Sequence, residues 1–146
     1  MIEELNLENI DSALELFKQY QQFYQVQNID EQKNRQHLAK IMKNEDLGKL
    51  FLIREGDVYI GFATIYYSFS STIAEQVAIL NDLYVVENLR RKGFGRHLIE
   101  HCINYLKTRE ISIMKWVTHI DNLTAQKLYN YYCTGTEWLS YSYKVF

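Results

Sequence analysis

The chain has 146 residues, 47% hydrophobic and 23% charged, with a formal net charge of −2; that length buries a true core without staples and suits one domain, residues 1–146. The slight acidity argues against nucleic-acid partners, which favour a basic face, and no run approaches the ~20 apolar residues of a membrane span. Two cysteines, Cys102 and Cys133, and four scattered histidines make neither a disulfide framework nor a metal-ligand spacing.

The opening MIEELNLENID reads as a strand over 1–7, and its acidity is unlike a signal peptide, so a cytoplasmic protein is expected. Ala13, Leu16, Phe17, Tyr20, Phe23 and Tyr24 then follow a 3.6-residue period, which predicts an amphipathic helix from about Asp11. After a polar break at Gln25–Asn28, Leu38, Ile41 and Met42 mark one side of a second helix, closed by Gly48. Leu50–Arg54 reads as a strand, Glu55-Gly56-Asp57 as a turn and Val58–Ser68 as the antiparallel partner. Val77–Val86 is the next strand. Beyond the loop at 90–95, Leu98, Ile99, Cys102, Ile103 and Leu106 fall on one helical face. Ile113–His119 is a predicted strand, Asn122–Tyr132 a helix, and Leu139, Tyr141, Tyr143 and Val145 alternate as a terminal strand. This order predicts an α+β fold with a mixed, mostly antiparallel sheet of six to seven strands and four helices.

The stretch LNDLYVVENLRRKGFGRHLI, residues 80–99, carries the strongest chemistry. It feeds a strand through a cationic, glycine-bearing loop into a helix, and four of the seven residues from 90 to 96 are basic. The first N–H groups of a helix have no intrahelical partner, and the helix dipole adds partial positive charge there. Such a turn suits a phosphate or pyrophosphate, and the same glycines also read as a strand-to-helix turn that needs them for conformation alone. The position three after Gly95 is Leu98, so the dinucleotide fingerprint is absent, and no G-K-[ST] follows the loop.

Arg90-Arg91-Lys92-Gly93-Phe94-Gly95 resembles the [RQ]-x-x-G-x-[GA] signature of the GCN5-related N-acetyltransferases, the GNAT superfamily. Asn122-Leu-Thr-Ala125-Gln-Lys-Leu128-Tyr129 resembles that family's N-x-x-A-x-x-[LF]-Y segment. The resemblance spans nearly the whole chain and implies a three-layer GNAT fold. It also implies acetyl transfer from acetyl-coenzyme A to an amine by direct attack in a ternary complex. The loop Arg90, Arg91, Lys92, Gly93, Phe94, Gly95 and Arg96 would then grip the pyrophosphate. Leu83, Tyr84 and Val85 would run beside the pantetheine arm, and Asn122 would touch the cofactor near its middle.

By residue type alone Tyr129 is one of 12 tyrosines, packed in a helix; the resemblance makes it the general acid that protonates the departing thiolate. Asp82 stands where related enzymes bind a cationic acceptor, but the pair here is Asn81-Asp82, one carboxylate short of the diamine-acetylating members. His119 is a second candidate base and also reads as a structural strand-end histidine. Trp138 walls the acceptor pocket or sits in the core, and Ser68–Ser71 borders that pocket or is a hairpin loop. Relatives usually have glycine where this chain has Cys133. No cysteine is placed to carry an acetyl group. The expected acceptor is a small-molecule amine, and the resemblance allows a homodimer. A protein N-terminus or lysine as acceptor, or a non-catalytic acyl-coenzyme A sensor, are the alternatives.

Overall fold

The alternating stretches in the middle of the chain pair into a five-stranded sheet of order β1-β2-β3-β4-β5. The computed structural model describes residues 1–146. Its strands are β1 (Ile2–Glu4), β2 (Gly48–Glu55), β3 (Val58–Ser70), β4 (Glu75–Val85) and β5 (Met114–Lys115). The helices are α1 (Ile10–Phe23), α2 (Glu31–Lys43), α3 (Phe94–Thr108) and α4 (Leu123–Tyr132). Neighbours from β1 to β4 run antiparallel, and β5 joins β4 in parallel. The chain divides into two compact units, Met1–Trp116 and Val117–Phe146.

In the first unit, period two on the strands sorts side chains to two faces. Leu50, Leu52, Phe62 and Tyr84 share one core cluster with Ile10, Ala13, Leu14 and Leu16 of α1 and Leu38 and Ile41 of α2. Phe51, between Leu50 and Leu52, faces the other way, and its ring meets His101 and Tyr105 of α3 at 4.6 and 5.2 Å. Leu98, Ile99, Cys102 and Leu106 are the buried stripe of α3. Burial pushes the Cys102 thiol up to about 12, so it packs as a small apolar group.

The helical periods hold, and so does the α+β class with four helices and a mixed, mostly antiparallel sheet. The sheet has five strands rather than six or seven. The strand expected at 113–119 contracts to Met114–Lys115, and residues 133–146 carry no strand. The alternation of Leu139, Tyr141, Tyr143 and Val145 is present in sequence. A strand also needs a neighbour for its backbone N–H and C=O groups, and the second unit contains no strand at all. Phe69 and Ser70, beyond the expected strand end at Ser68, extend β3 to Ser70.

The β3–β4 ladder is irregular at one point. Thr64 pairs with Asp82 and Ile65 with Leu80, so Asn81 is an extra residue on β4 with no opposite number on β3. Such a bulge breaks the ladder locally and re-aims the side chains beside it.

Candidate active site

β4 ends at Val85, a single 3-10 turn spans Glu87–Leu89, and α3 begins at Phe94. Between them Arg91 and Gly93 take positive φ, 63° and 91°. Gly93 is the N-cap of α3 with no side chain capping it, and its carbonyl accepts from His97 N–H at 3.0 Å. The N–H groups of the first turn therefore have no capping side chain and are open to an anion. A Cβ at Gly93 would meet nothing within 4 Å. The backbone conformation, not crowding, is what asks for glycine here.

Arg91 and Lys92 are exposed at the mouth of this turn, and Arg96 is half-buried on the first turn of α3. Arg90 is used differently. Its Nε donates to Val85 O at 2.8 Å, and its guanidinium lies 4.7 Å from the Phe23 ring centroid and 5.5 Å from that of Tyr84. Hydrogen bond and rings hold that side chain against β4 and α1, so it braces the loop. A cation stacked on aromatic faces contributes roughly 0.5–2 kcal/mol per contact.

β4 is open along one edge. Within residues 1–116 its ladder with β5 consists of Ala78–Met114 and Ile79–Lys115, and it stops before Leu83, Tyr84 and Val85. A sheet edge of this kind accepts an extended, amide-bearing chain by backbone hydrogen bonding. Gly61 on β3 underlies the same stretch: a Cβ there would fall against Tyr84 O and stand 3.2 Å from the Val85 Cα. The absence of a side chain at 61 is what lets β3 and β4 close beneath the loop. An orphaned helix N-terminus, two free-standing basic side chains and an open strand edge fit the pyrophosphate and amide arm of coenzyme A.

On the α1/α2 side of β4 lies a polar island. Asp82 is only 6% exposed and accepts from Asn81 Nδ2 at 3.1 Å; no cation pairs with it. Thr64, opposite it on β3, is fully buried and its hydroxyl has no partner. Tyr66, two residues on, hydrogen-bonds His37 Nε2 through its phenol at 2.9 Å. Burial, and after it the charge of Asp82, pushes the Tyr66 phenol up to about 12. The sequence pattern singles out Asn81 and Asp82 but misses Thr64, Tyr66 and His37. The alternation Phe62-Thr64-Tyr66 is the available signal for the first two, since it sets polar groups on an apolar strand face.

The remaining sequence candidates lie in the second unit. Asn122 is the N-cap of α4, its side chain accepting from Ala125 N at 3.2 Å. Tyr129 is half-buried on α4. His119 takes a hydrogen bond from Asp121 N at 3.2 Å on Nδ1, a local turn contact. Trp138 is 88% exposed.

A family model described as the acetyltransferase (GNAT) family matches residues 11–132. The uncharacterized N-acetyltransferase YhfO of Bacillus subtilis (strain 168) is 32% identical over 114 residues, which is 78% of this chain and 75% of that protein. The D-amino-acid N-acetyltransferase HPA3 of Saccharomyces cerevisiae (strain ATCC 204508 / S288c) is 41% identical over 70 residues, 48% of this chain and 44% of that one. Among solved structures, the crystal structure of a "probable acetyltransferase" superposes with TM-score 0.87 at 29% identity, covering 99% of this chain and 97% of the other. The aminoglycoside N-acetyltransferase AAC(6')-Iy in complex with CoA superposes with TM-score 0.85 at 19% identity, over 99% and 94% of the two chains. No helix of the protein is long and apolar enough to cross a membrane.

Proposed function

This chain belongs to the acetyltransferase (GNAT) family and is an acetyl-CoA-dependent N-acetyltransferase, and we propose that it acetylates the primary amine of a small molecule. The single observation that carries the acceptor class is Asp82, a carboxylate 6% exposed with no cation beside it. Burying a carboxylate costs several kcal/mol unless it is paired, and a cationic amine supplies the missing partner. A second aminoglycoside acetyltransferase, solved in complex with sisomicin, shares the fold with TM-score 0.82 at 18% identity, and its ligand supports a small-molecule acceptor.

In this reading residues 1–146 act as one acetyltransferase domain. Backbone N–H groups at Phe94, Gly95 and Arg96, with Arg91 and Lys92, take the pyrophosphate, while Gly93 supplies the turn and Arg90 braces it. The β4 edge at Leu83, Tyr84 and Val85 takes the pantetheine amides, with Asn122 contacting the same cofactor. Asn81, Asp82 and Trp138 border the acceptor, and attack is direct. The amine nitrogen forms its bond to the thioester carbonyl carbon, the C–S bond breaks, Tyr129 gives its phenolic proton to the leaving thiolate, and the proton that the acylated nitrogen sheds restores the phenol. A free thiol titrates near 8.5 and a phenol near 10, so that transfer is accessible as the thiolate forms. A homodimer belongs to the same reading, supported by Leu139, Tyr141, Tyr143 and Val145, which alternate in sequence and are all exposed. Sedimentation of the protein as a monomer at micromolar concentration would remove that part.

Calorimetric titration of acetyl-CoA into wild type, Gly93→Asp and Tyr129→Phe, with thiol release measured on an amine panel, tests the whole. Gly93→Asp places a negative side chain in a left-handed backbone site beside the anion, and binding should weaken at least 100-fold. Tyr129→Phe should bind normally and turn over 10- to 100-fold more slowly, in line with the usual worth of a general acid. Wild type that binds acetyl-CoA and acetylates peptides but no small amine would shift the reading to a protein acceptor. Binding without any turnover would make the chain a sensor.

A further inference from the structure

Acetylation of an amine at neutral pH begins with an ammonium, so a proton has to leave before the nitrogen can attack. The first unit contains a line of groups that runs from a buried carboxylate to solvent. Asp82 is buried, the Tyr66 phenol is half-buried on the same face of the sheet, and His37 on α2 is exposed. The Tyr66 Oη and His37 Nε2 are 2.9 Å apart. The His37 ring is held from behind by Phe17 of α1, near-parallel at a centroid distance of 5.8 Å. Tyr66 crosses it edge-on at 6.4 Å. Beneath them the Thr64 hydroxyl is fully buried with no partner, and a buried hydrogen bond left unmade is costly. Unsatisfied buried polar groups are few in native proteins, and this one lies opposite Asp82 on the neighbouring strand.

We propose that the acceptor ammonium is held between Asp82 and Tyr66, and that Tyr66 and His37 carry its surplus proton to solvent. This deepens the small-amine reading and rests on it. One N–H bond of the ammonium breaks and its proton bonds to Tyr66 Oη. The original Tyr66 proton passes to His37 Nε2, and the imidazolium then gives its Nε2 proton to water. Tyr66 ends neutral, and the nitrogen keeps the electron pair that attacks the thioester carbonyl. Tyr66, whose phenol is held up near 12 by burial and by Asp82, passes the proton on without resting as a phenolate. Imidazole is the side chain best suited to exchange protons with water near neutrality. Asp82 binds and orients; His37 acts through Tyr66.

The test uses the full chain and an amine that wild type turns over. His37→Ala should lower kcat about 100-fold at pH 7 with KM within a factor of two. Its acetyl-CoA affinity by calorimetry should be unchanged. Free imidazole at 10–100 mM should restore at least a tenth of the lost rate, because the vacated position is open to solvent. Tyr66→Phe should lose rate to the same degree without rescue, and the double variant should be no slower than the slower single. Thr64→Val, which removes only the buried hydroxyl, should raise KM several-fold and spare kcat. Full kcat in His37→Ala, or a loss that imidazole does not touch, overturns the relay while the small-amine reading stands. Wild type that binds acetyl-CoA and acetylates no small amine overturns that reading, and the relay goes with it.

Discussion

Phe62 and Tyr84 in the first unit, and Trp138 and Tyr141 in the second, are aromatic side chains from stretches that all read as strands or their flanks in sequence. The first pair is 1% and 8% exposed, the second 88% and 87%. The stretches 58–70 and 139–145 both read as strands in sequence, yet one is a strand paired on both sides and the other is not a strand. Period tells which side chains share a face. It says nothing about whether a second strand is there to take the backbone hydrogen bonds or a helix to cover the face. Burial follows the same division: α1, α2 and α3 each bury a stripe, and no residue of 117–146 is buried.

Two glycines give the strongest way to break that contrast. Gly61→Ala adds one methyl group against Tyr84 O and 3.2 Å from the Ile53 Cγ2, between two strands that must stay paired. Gly135→Ala adds the same methyl where nothing lies within 4 Å. Overpacking a close-packed interior costs typically 1–3 kcal/mol, so Gly61→Ala should lose about 3 kcal/mol in urea melts and weaken acetyl-CoA binding as β4 shifts. Gly135→Ala should stay within about 0.5 kcal/mol of wild type, as surface changes do. Equal losses at the two positions would show that the second unit is packed as tightly as the first.

The same contrast separates what is legible in the sequence from what is not. The loop from Arg90 to Arg96 is legible because its chemistry is local: a positive φ at Gly93 and uncapped N–H groups arise from strand, glycine and helix in a row. Even there the side chains divide in a way the spacing does not show, since Arg90 turns back onto Phe23 and Tyr84 while Arg91 and Lys92 face solvent. Asp82 is legible as a polar residue in an apolar strand. His37 is not, because its meeting with Tyr66 across 29 residues depends on α2 folding back over β3. The bulge at Asn81, which sets Asp82 opposite Thr64, is a matter of register and leaves no mark in composition. The terminal strand fails for the opposite reason: its pattern is clear, and the second unit holds no strand to pair with it.

A finer comparison comes from two helix caps of the same chemistry. Asp30 opens α2 by accepting from Lys33 N at 3.0 Å, and Asn122 opens α4 by accepting from Ala125 N at 3.2 Å. Each bond satisfies one orphan donor, and replacing such a cap by alanine costs about 1 kcal/mol of helix stability. What differs is what the helix carries. α2 buries Asn34, Leu38 and Ile41, whereas α4 buries no residue. Fraying of α2 therefore uncovers core, and Asp30→Ala should lower the global unfolding free energy by about 1 kcal/mol. Fraying of α4 uncovers none, so Asn122→Ala should leave the urea midpoint where it was. The loss should appear instead as faster amide exchange along Leu123–Tyr132, the signature of an element that opens on its own. If Asn122→Ala moved the midpoint as far as Asp30→Ala, α4 would be unfolding together with the sheet, and cap strength rather than burial would be the quantity that separates the two units.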